Sequence, residues 1–396
     1  MGDLFKKARR FKEPQRFKKY GLYPYFVPFS ATIGPRTIIE GKETIMLGSN
    51  NYMGLTNHPE MLQAAKEAID QFGTGCTGSR LLNGTMDLHN KLEKDLSDFL
   101  GYKDTIAFTT GFQVNTGIIG ALTGPKDFVI SDEKNHASII DGCRLSKAKT
   151  VVYKHNDYHD LEAKLKELPP RAGKLLVTEG VFSIEGDMVP LKEIVEVAKQ
   201  YDVKIMLDDA HGTGVLGEHG EGTPNHLKVK NENVDILSGT FSKSFASIGG
   251  FASGSEEVIN YLKHTARSFL FSASMPPASV ASAIKATELI RKGDYMRENV
   301  RRLLKRYRKG LVDLGFETVH SEAAIVPIVV GEQVKNFRLW RRLLDEGVYT
   351  NPYMEPAVPI GHELLRTSII ATHSEKDVDD ALEIMERVGK ELKIIE

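Results

Sequence analysis

Six short apolar runs, TIAFTT, DFVISD, TVVYKH, KLLVTEG, KIMLDDA and VDILSG, lie between Thr105 and Gly239, and segments of helical period such as LKEIVEVAKQYD fall between them. Strands that are apolar on both faces need cover on both faces, which a parallel sheet with helices on each side provides. The alternation predicts an α/β fold with a large, mostly parallel sheet. Such sheets bind ligands outside the carboxyl ends of their strands, so the polar residues closing these runs should converge on one rim.

A chain of 396 residues exceeds the size at which a single core stops growing, about 250–300 residues, and two lobes are expected. Residues 1–45 read as an N-terminal arm, 46–285 as a large domain and 286–396 as a smaller C-terminal α/β domain. HPEMLQAAKEAIDQFG and DLHNKLEKDLSDFLG have helical spacing and end at glycine, as helix C-termini favour. Beyond Lys285 a basic helical region precedes AIVPIVV, a helix containing Trp340, LLRTSIIAT and a final amphipathic helix.

A formal net charge of -1 gives no global pull toward nucleic acid or an anionic surface, so any charged partner is recognised locally. The two cysteines, Cys76 and Cys143, have no metal-like spacing and fit a reducing cytoplasm better than a disulfide framework; no metal is expected. There is no apolar run of about 18 residues to span a bilayer, and the N-terminus lacks the apolar stretch of a secretory signal. Lys6 to Lys19 holds eight Lys/Arg against one acid, with Phe5, Phe11 and Phe17 around it. It reads either as an attractor for phosphate groups or an anionic membrane surface, or as a solvated arm, which Pro14 favours by breaking an amphipathic helix.

Gly212, Gly214 and Gly217 make a literal GxGxxG after KIMLDDA, but the EHGEGTPNHLKVKN that follows has no helical period, which excludes a dinucleotide fingerprint. Asp208, Asp209 and His211 close that same strand. A carboxylate there is either a partner for a protonated heterocyclic nitrogen, as the pyridine of pyridoxal phosphate requires, or a helix cap or surface acid. Lys243 sits in GTFSKSFASIGG, walled by small residues, after one further strand. It is either a surface lysine beside a turn or an amine able to form a Schiff base with an aldehyde cofactor, with Thr240, Ser242 and Ser244 as phosphate ligands. Thr110, Gly111, Phe112 and Gln113 open a helix whose free amides could cradle a phosphate, and His136 is a stacking ring or an ordinary structural histidine.

Taken together and in order, LGSNNYMGL, GTGCTGSRLLNGT, DEKNHASIIDG, TEGVFSIEGD, DDAHGTGVLG, GTFSKS and LRTSIIATH resemble the α-oxoamine synthases over nearly the whole chain. These are pyridoxal-phosphate enzymes of the aspartate aminotransferase fold (fold type I) that condense an amino acid with an acyl-CoA and release carbon dioxide. GTFSKSFASIGGF, ARSFLFSASMPPASVAS and NPYMEPAVP resemble most the bacterial branch that joins L-serine to palmitoyl-CoA, giving a 3-keto sphingoid base, more than the branches using alanine or glycine. An ordinary aminotransferase and a non-catalytic partner subunit are the remaining readings.

The resemblance implies that Lys243 holds pyridoxal 5'-phosphate, Asp208 pairs with its ring nitrogen and His211 reaches its ring hydroxyl. It implies that His136 and Ala210 cover the two ring faces, with Ser183 a further cofactor contact. Gly111, Phe112, Thr240 and Ser242 would bind the phosphate, with Ser272 contributed by the second subunit of a homodimer. Arg366 and Asn50 would receive the carboxylate of the amino acid.

Overall fold

Seven strands form the central sheet, in spatial order Asp104–Phe108, Gly250–Gly254, Ile236–Thr240, Lys204–Asp208, Lys174–Glu179, Phe128–Asp132 and Lys149–Tyr153. They are seen in a computed structural model that describes residues 2–396 apart from 33, 320 and 322. Only Gly250–Gly254 runs antiparallel to its neighbours. Six strands coincide with the apolar runs. The seventh, GFASG, has little intrinsic strand preference and is held by ladder bonds on both edges, so local composition does not reveal it.

Alternation along each strand feeds two cores. Ile205 and Leu207 pack with Leu92, Leu191 and Ile194 on one face, while Met206 joins Val114, Ile118 and Ile139 on the other. Burying a side chain of this size is worth about 2 kcal/mol, which explains why strands apolar on both faces lie between two helical layers. Parallel register sets Glu179 beside Asp208 and Asp208 beside Ser238, so the carboxyl ends bring their polar residues onto one rim.

Helices Pro59–Phe72 and Asp87–Leu100 end at Gly73 and Gly101 as expected, and helix Pro277–Arg291 packs against both. Helix Asp294–Asp313 bridges the cores, with Met296 and Val300 in the first and Leu303 and Tyr307 in that of the smaller lobe. There Ile325–Val329 pairs with Leu364–Ser368, which also pairs with Asn351–Tyr353. A second small sheet joins Arg36–Ile39 and Lys42–Met46 to Val348–Tyr349. The last residues expected in the arm, from Arg36 on, therefore pack with the smaller lobe, because their partner strand comes from the far end of the chain. The arm's two short helices, Lys6–Arg10 and Glu13–Lys19, bury no residue. Among the described residues no helix is long and apolar enough to cross a membrane.

The GxGxxG stretch is a series of turns, with Gly214 at φ +93° and Gly217 at φ +91°, and no dinucleotide-type helix starts there. Asp209 fastens it. Its buried carboxylate accepts hydrogen bonds from Thr213 Oγ1 (2.9 Å), Thr223 N (3.0 Å) and Thr223 Oγ1 (2.5 Å). Asp209→Ala strands three buried donors and is expected to destabilise the protein by about 3 kcal/mol. The midpoint of urea unfolding measures this, and an unchanged midpoint would show that the turn does not depend on Asp209.

Candidate active site

Over the carboxyl rim of the sheet lies a cavity of about 330 Å³ whose wall includes Gly111, Phe112, His136, Asp208, Ala210, Thr240, Ser242 and Lys243. Eight residues singled out from the sequence thus share one cavity. The helix Gly111–Leu122 opens at Thr110, whose side chain accepts from Gln113 N. Gly111 is needed for a close approach, since a Cβ there would lie 2.9 Å from Thr240. Thr240 and Ser242 stand beside that helix terminus with their hydroxyl oxygens 2.9 Å apart.

Asp208 ends its strand buried. Its Oδ2 accepts from Asn115 Nδ2 at 2.6 Å and its Oδ1 from the Ala210 amide at 3.1 Å. Asn115 sits one helical turn beyond Gly111 and so faces the same cavity, a relation readable from the i, i+4 spacing yet overlooked. Glu179 was also missed; its Oε1 accepts the His136 amide at 2.6 Å. Burial, reinforced by the nearby Asp208 charge, pushes the Glu179 carboxyl well above its usual range.

His136 caps the helix Ala137–Ser146, with Nδ1 accepting from Ser138 N and lying 2.8 Å from Ser138 Oγ. The cap fixes the ring against the cavity wall. Burial, with the Lys243 charge, lowers its pKa despite the opposing pull of Asp208. Lys243 is half-buried in the cavity wall, and desolvation of its amine outweighs the attraction of Asp208 and Glu179 to bring its ammonium pKa down to about 8. A second cavity of about 380 Å³, lined by Phe29, Met46, Asn50, Ala246 and Tyr349, opens on the same amine.

Behind Lys243 runs a buried polar chain. The amine lies 2.8 Å from His211 Nε2, and His211 Nδ1 lies 2.7 Å from the Tyr52 hydroxyl. Arg366 donates to that hydroxyl at 3.0 Å, to Asn50 Oδ1 at 3.0 Å and, through Nε, to the Ser183 carbonyl at 2.6 Å. Burial and the adjacent cations hold His211 well below its ordinary pKa, so it is neutral. His211, Arg366 and Ser183 are not among the residues lining the 330 Å³ cavity. The hairpin carrying Ser183 turns its carbonyl toward the strand of Arg366. Tyr52, in LGSNNYMGL, is the link that sequence reading passed over. Ser272 stands beside the opening helix turn of its own chain, accepting from Gln113 Nε2 at 2.8 Å.

A neutral amine is the form that attacks an aldehyde, and its fraction grows as pH rises toward about 8. Loading of cofactor-free protein with pyridoxal phosphate is expected to accelerate about tenfold per pH unit below that value and to level off above it. Stopped-flow absorbance between pH 6 and 9.5, roughly the range spanning this titration, reads it; a flat profile would contradict the lowered lysine.

Comparison with known proteins places the chain in one family. Residues 42–385 match the family described as aminotransferase class I and II. The chain is 46% identical over 393 residues to a serine palmitoyltransferase of Sphingobacterium spiritivorum, covering 99% of this chain and 98% of that one. It is 42% identical over 382 residues to an 8-amino-7-oxononanoate synthase of Thermoanaerobacter pseudethanolicus, covering 96% of each. The solved serine palmitoyltransferase of Sphingomonas wittichii superposes with a TM-score of 0.97 at 38% identity over 100% of both chains.

Proposed function

Because the chain belongs to the aminotransferase class I and II family and uses pyridoxal 5'-phosphate, we propose that it condenses L-serine with a long-chain acyl-CoA, palmitoyl-CoA above all. The products are a 3-keto sphingoid base, CoA and carbon dioxide. The observation that carries this reading is the make-up of the cavity around Lys243. A helix N-terminus and two hydroxyls suit a phosphate, and the buried Asp208, bonded to Asn115 one helical turn beyond Gly111, suits a protonated ring nitrogen. When bound, the cofactor supplies an electron sink for the charge left at the substrate α-carbon.

The residues divide the remaining work. Lys243 would hold the cofactor, and its amine would also take the α-proton of the amino acid; the low ammonium pKa favours both. Asp208, oriented by Asn115 and the Ala210 amide, keeps the ring nitrogen protonated. His136 and Ala210 would cover the ring faces, and the neutral His211 would reach the ring hydroxyl. Gly111, Phe112, Thr240 and Ser242 bind the phosphate, joined by Ser272 of a second copy. Arg366, with Asn50, takes the serine carboxylate in its planar fork. The second cavity gives the acyl thioester a place beside the same amine. There the serine α-carbon bonds to the acyl carbon, the C–S bond breaks with CoA leaving as thiol on taking up the proton that Lys243 received, and the carboxylate leaves as carbon dioxide while the α-carbon takes a proton from solvent.

A homodimer with a shared site belongs to this reading. Phe112 and Ile248 on the cavity wall are exposed, as are Leu82 (78%) and Phe271 (72%), apolar side chains that a second copy would cover. A cytoplasmic setting fits the free thiols of Cys76 and Cys143, and the basic arm serves as a solvated surface. The similarity to an 8-amino-7-oxononanoate synthase favours one rival, the same chemistry with alanine or glycine. Release of CoA from purified protein over serine, glycine and alanine, each with short and long acyl-CoAs, separates them. Serine with palmitoyl-CoA should be the fastest pair; if it ranks among the slowest, the substrate assignment fails.

A further inference from the structure

We propose that His155, outside the cavity, is a positioning residue for this reaction: bridging Asp132 and Asp187 as a cation, it holds both the segment that presents His136 and the hairpin whose Ser183 carbonyl orients Arg366. The inference rests on the reading of Arg366 as the seat of the substrate carboxylate.

His155 follows the strand Lys149–Tyr153 in the stretch YKHND. Its Nδ1 lies 2.9 Å from Asp132 Oδ1 and its Nε2 2.8 Å from Asp187 Oδ2. Carboxylate oxygens only accept, and a neutral imidazole has one N–H, so one of these contacts would set lone pair against lone pair. The geometry requires the doubly protonated ring. Burial opposes that charge, but the hydrogen bonds to Asp132 and Asp187 outweigh it and raise the ring pKa to about 9.

The other groups facing the ring do not reverse this balance. Glu133 accepts the His155 amide at 3.0 Å and adds negative charge. Lys134, whose amide meets Asp132, is paired with Glu185 at 2.7 Å, so the two are neutral as a unit. Tyr153 stays protonated through burial and the neighbouring Asp132, and Phe182 sets its ring perpendicular to the imidazole at 4.4 Å.

Each carboxylate anchors a different part of the site. Asp132 also accepts the Lys134 and Asn156 amides, both at 2.9 Å, and so shapes the turn leading to His136. Asp187 lies in a hairpin closed by Phe182 N to Asp187 O (3.0 Å) and by the bridge between Val181 and Met188. Asn156 Nδ2 adds a bond to Asp187 Oδ2 at 3.0 Å. Within that hairpin is Ser183, whose carbonyl meets Arg366 Nε. A side chain able to serve one carboxylate alone would let the hairpin, and with it the guanidinium, move.

His155→Gln, which can reach one carboxylate, and Asp187→Asn, which removes one charge at constant shape, should be compared with wild type as holoenzymes. Serine KM is expected to rise about tenfold or more in either variant, with kcat and the KM for acyl-CoA changed less than about threefold. In wild type, serine KM should rise as pH passes about 9, and this rise should be missing from His155→Gln, which has no ring to titrate. Independently of turnover, nitrogen-15 spectra of histidine-labelled protein at neutral pH should show both His155 nitrogens protonated, a signal absent from His155→Gln. Unchanged serine KM in the folded variants, or a singly protonated ring in wild type, overturns the proposal. If His155→Gln does not fold, Asp187→Asn and the ring spectrum decide. If no form turns over serine, the substrate assignment is what fails, and the same comparison on the amino acid that is used decides the role of His155.

Discussion

Lys243→Ala is expected to lower CoA release by about 10³-fold or more and to leave the protein without covalently held cofactor, colourless after gel filtration. The size of the effect follows from two duties falling on one amine. It attaches the cofactor and it moves the α-proton, and the neighbouring His211, held neutral by burial and by Lys243 itself, does not replace it as an attachment point. Added amines of small size should restore part of the proton transfer but none of the attachment. Full turnover with a retained yellow chromophore in the alanine variant would remove the basis of the functional reading.

Asp208→Asn should reduce turnover by about 10²–10⁴-fold while the protein still takes up pyridoxal phosphate. The carboxylate is buried, bonded by Asn115 Nδ2 and the Ala210 amide, so its charge faces the cavity with little screening. An amide in its place keeps one of those two bonds through its single oxygen, turns an NH2 toward the other donor, and does not stabilise a protonated ring nitrogen. Loading and turnover should therefore separate, with the bound absorbance band displaced from that of wild type. Loss of loading together with loss of turnover would mean that Asp208 holds the pocket's shape and not the ring's charge.

Much of this is legible in the amino-acid sequence. The six apolar runs announce six strands and their helical cover, and the small residues around Lys243 announce room beside an amine. Gly111, Asp208 and Thr240, spread along the chain, fall on one rim because they close strands or open helices of a mostly parallel sheet, and Lys243 joins them in the turn that follows Thr240. Other features are hidden. GFASG has no strand-like side chains, and the pairing of Lys42–Met46 with Val348–Tyr349 joins segments that no local pattern connects. Glu179 lies in plain view, but nothing in TEGVFSIEGD says that its carboxyl meets the His136 amide.

The order of residues alone dictates what is periodic and local: which segments are strands or helices, where they stop, and which ends carry polar side chains, because these depend on neighbours a few residues apart. Which of those polar groups touch is settled by the folded chain. The relay from Lys243 through His211 and Tyr52 to Arg366, and the clasp of His155 on Asp132 and Asp187, each join residues from separate strands and loops. The protonation of each group is set by the burial and charges met there, and those arise only once the chain has closed around them.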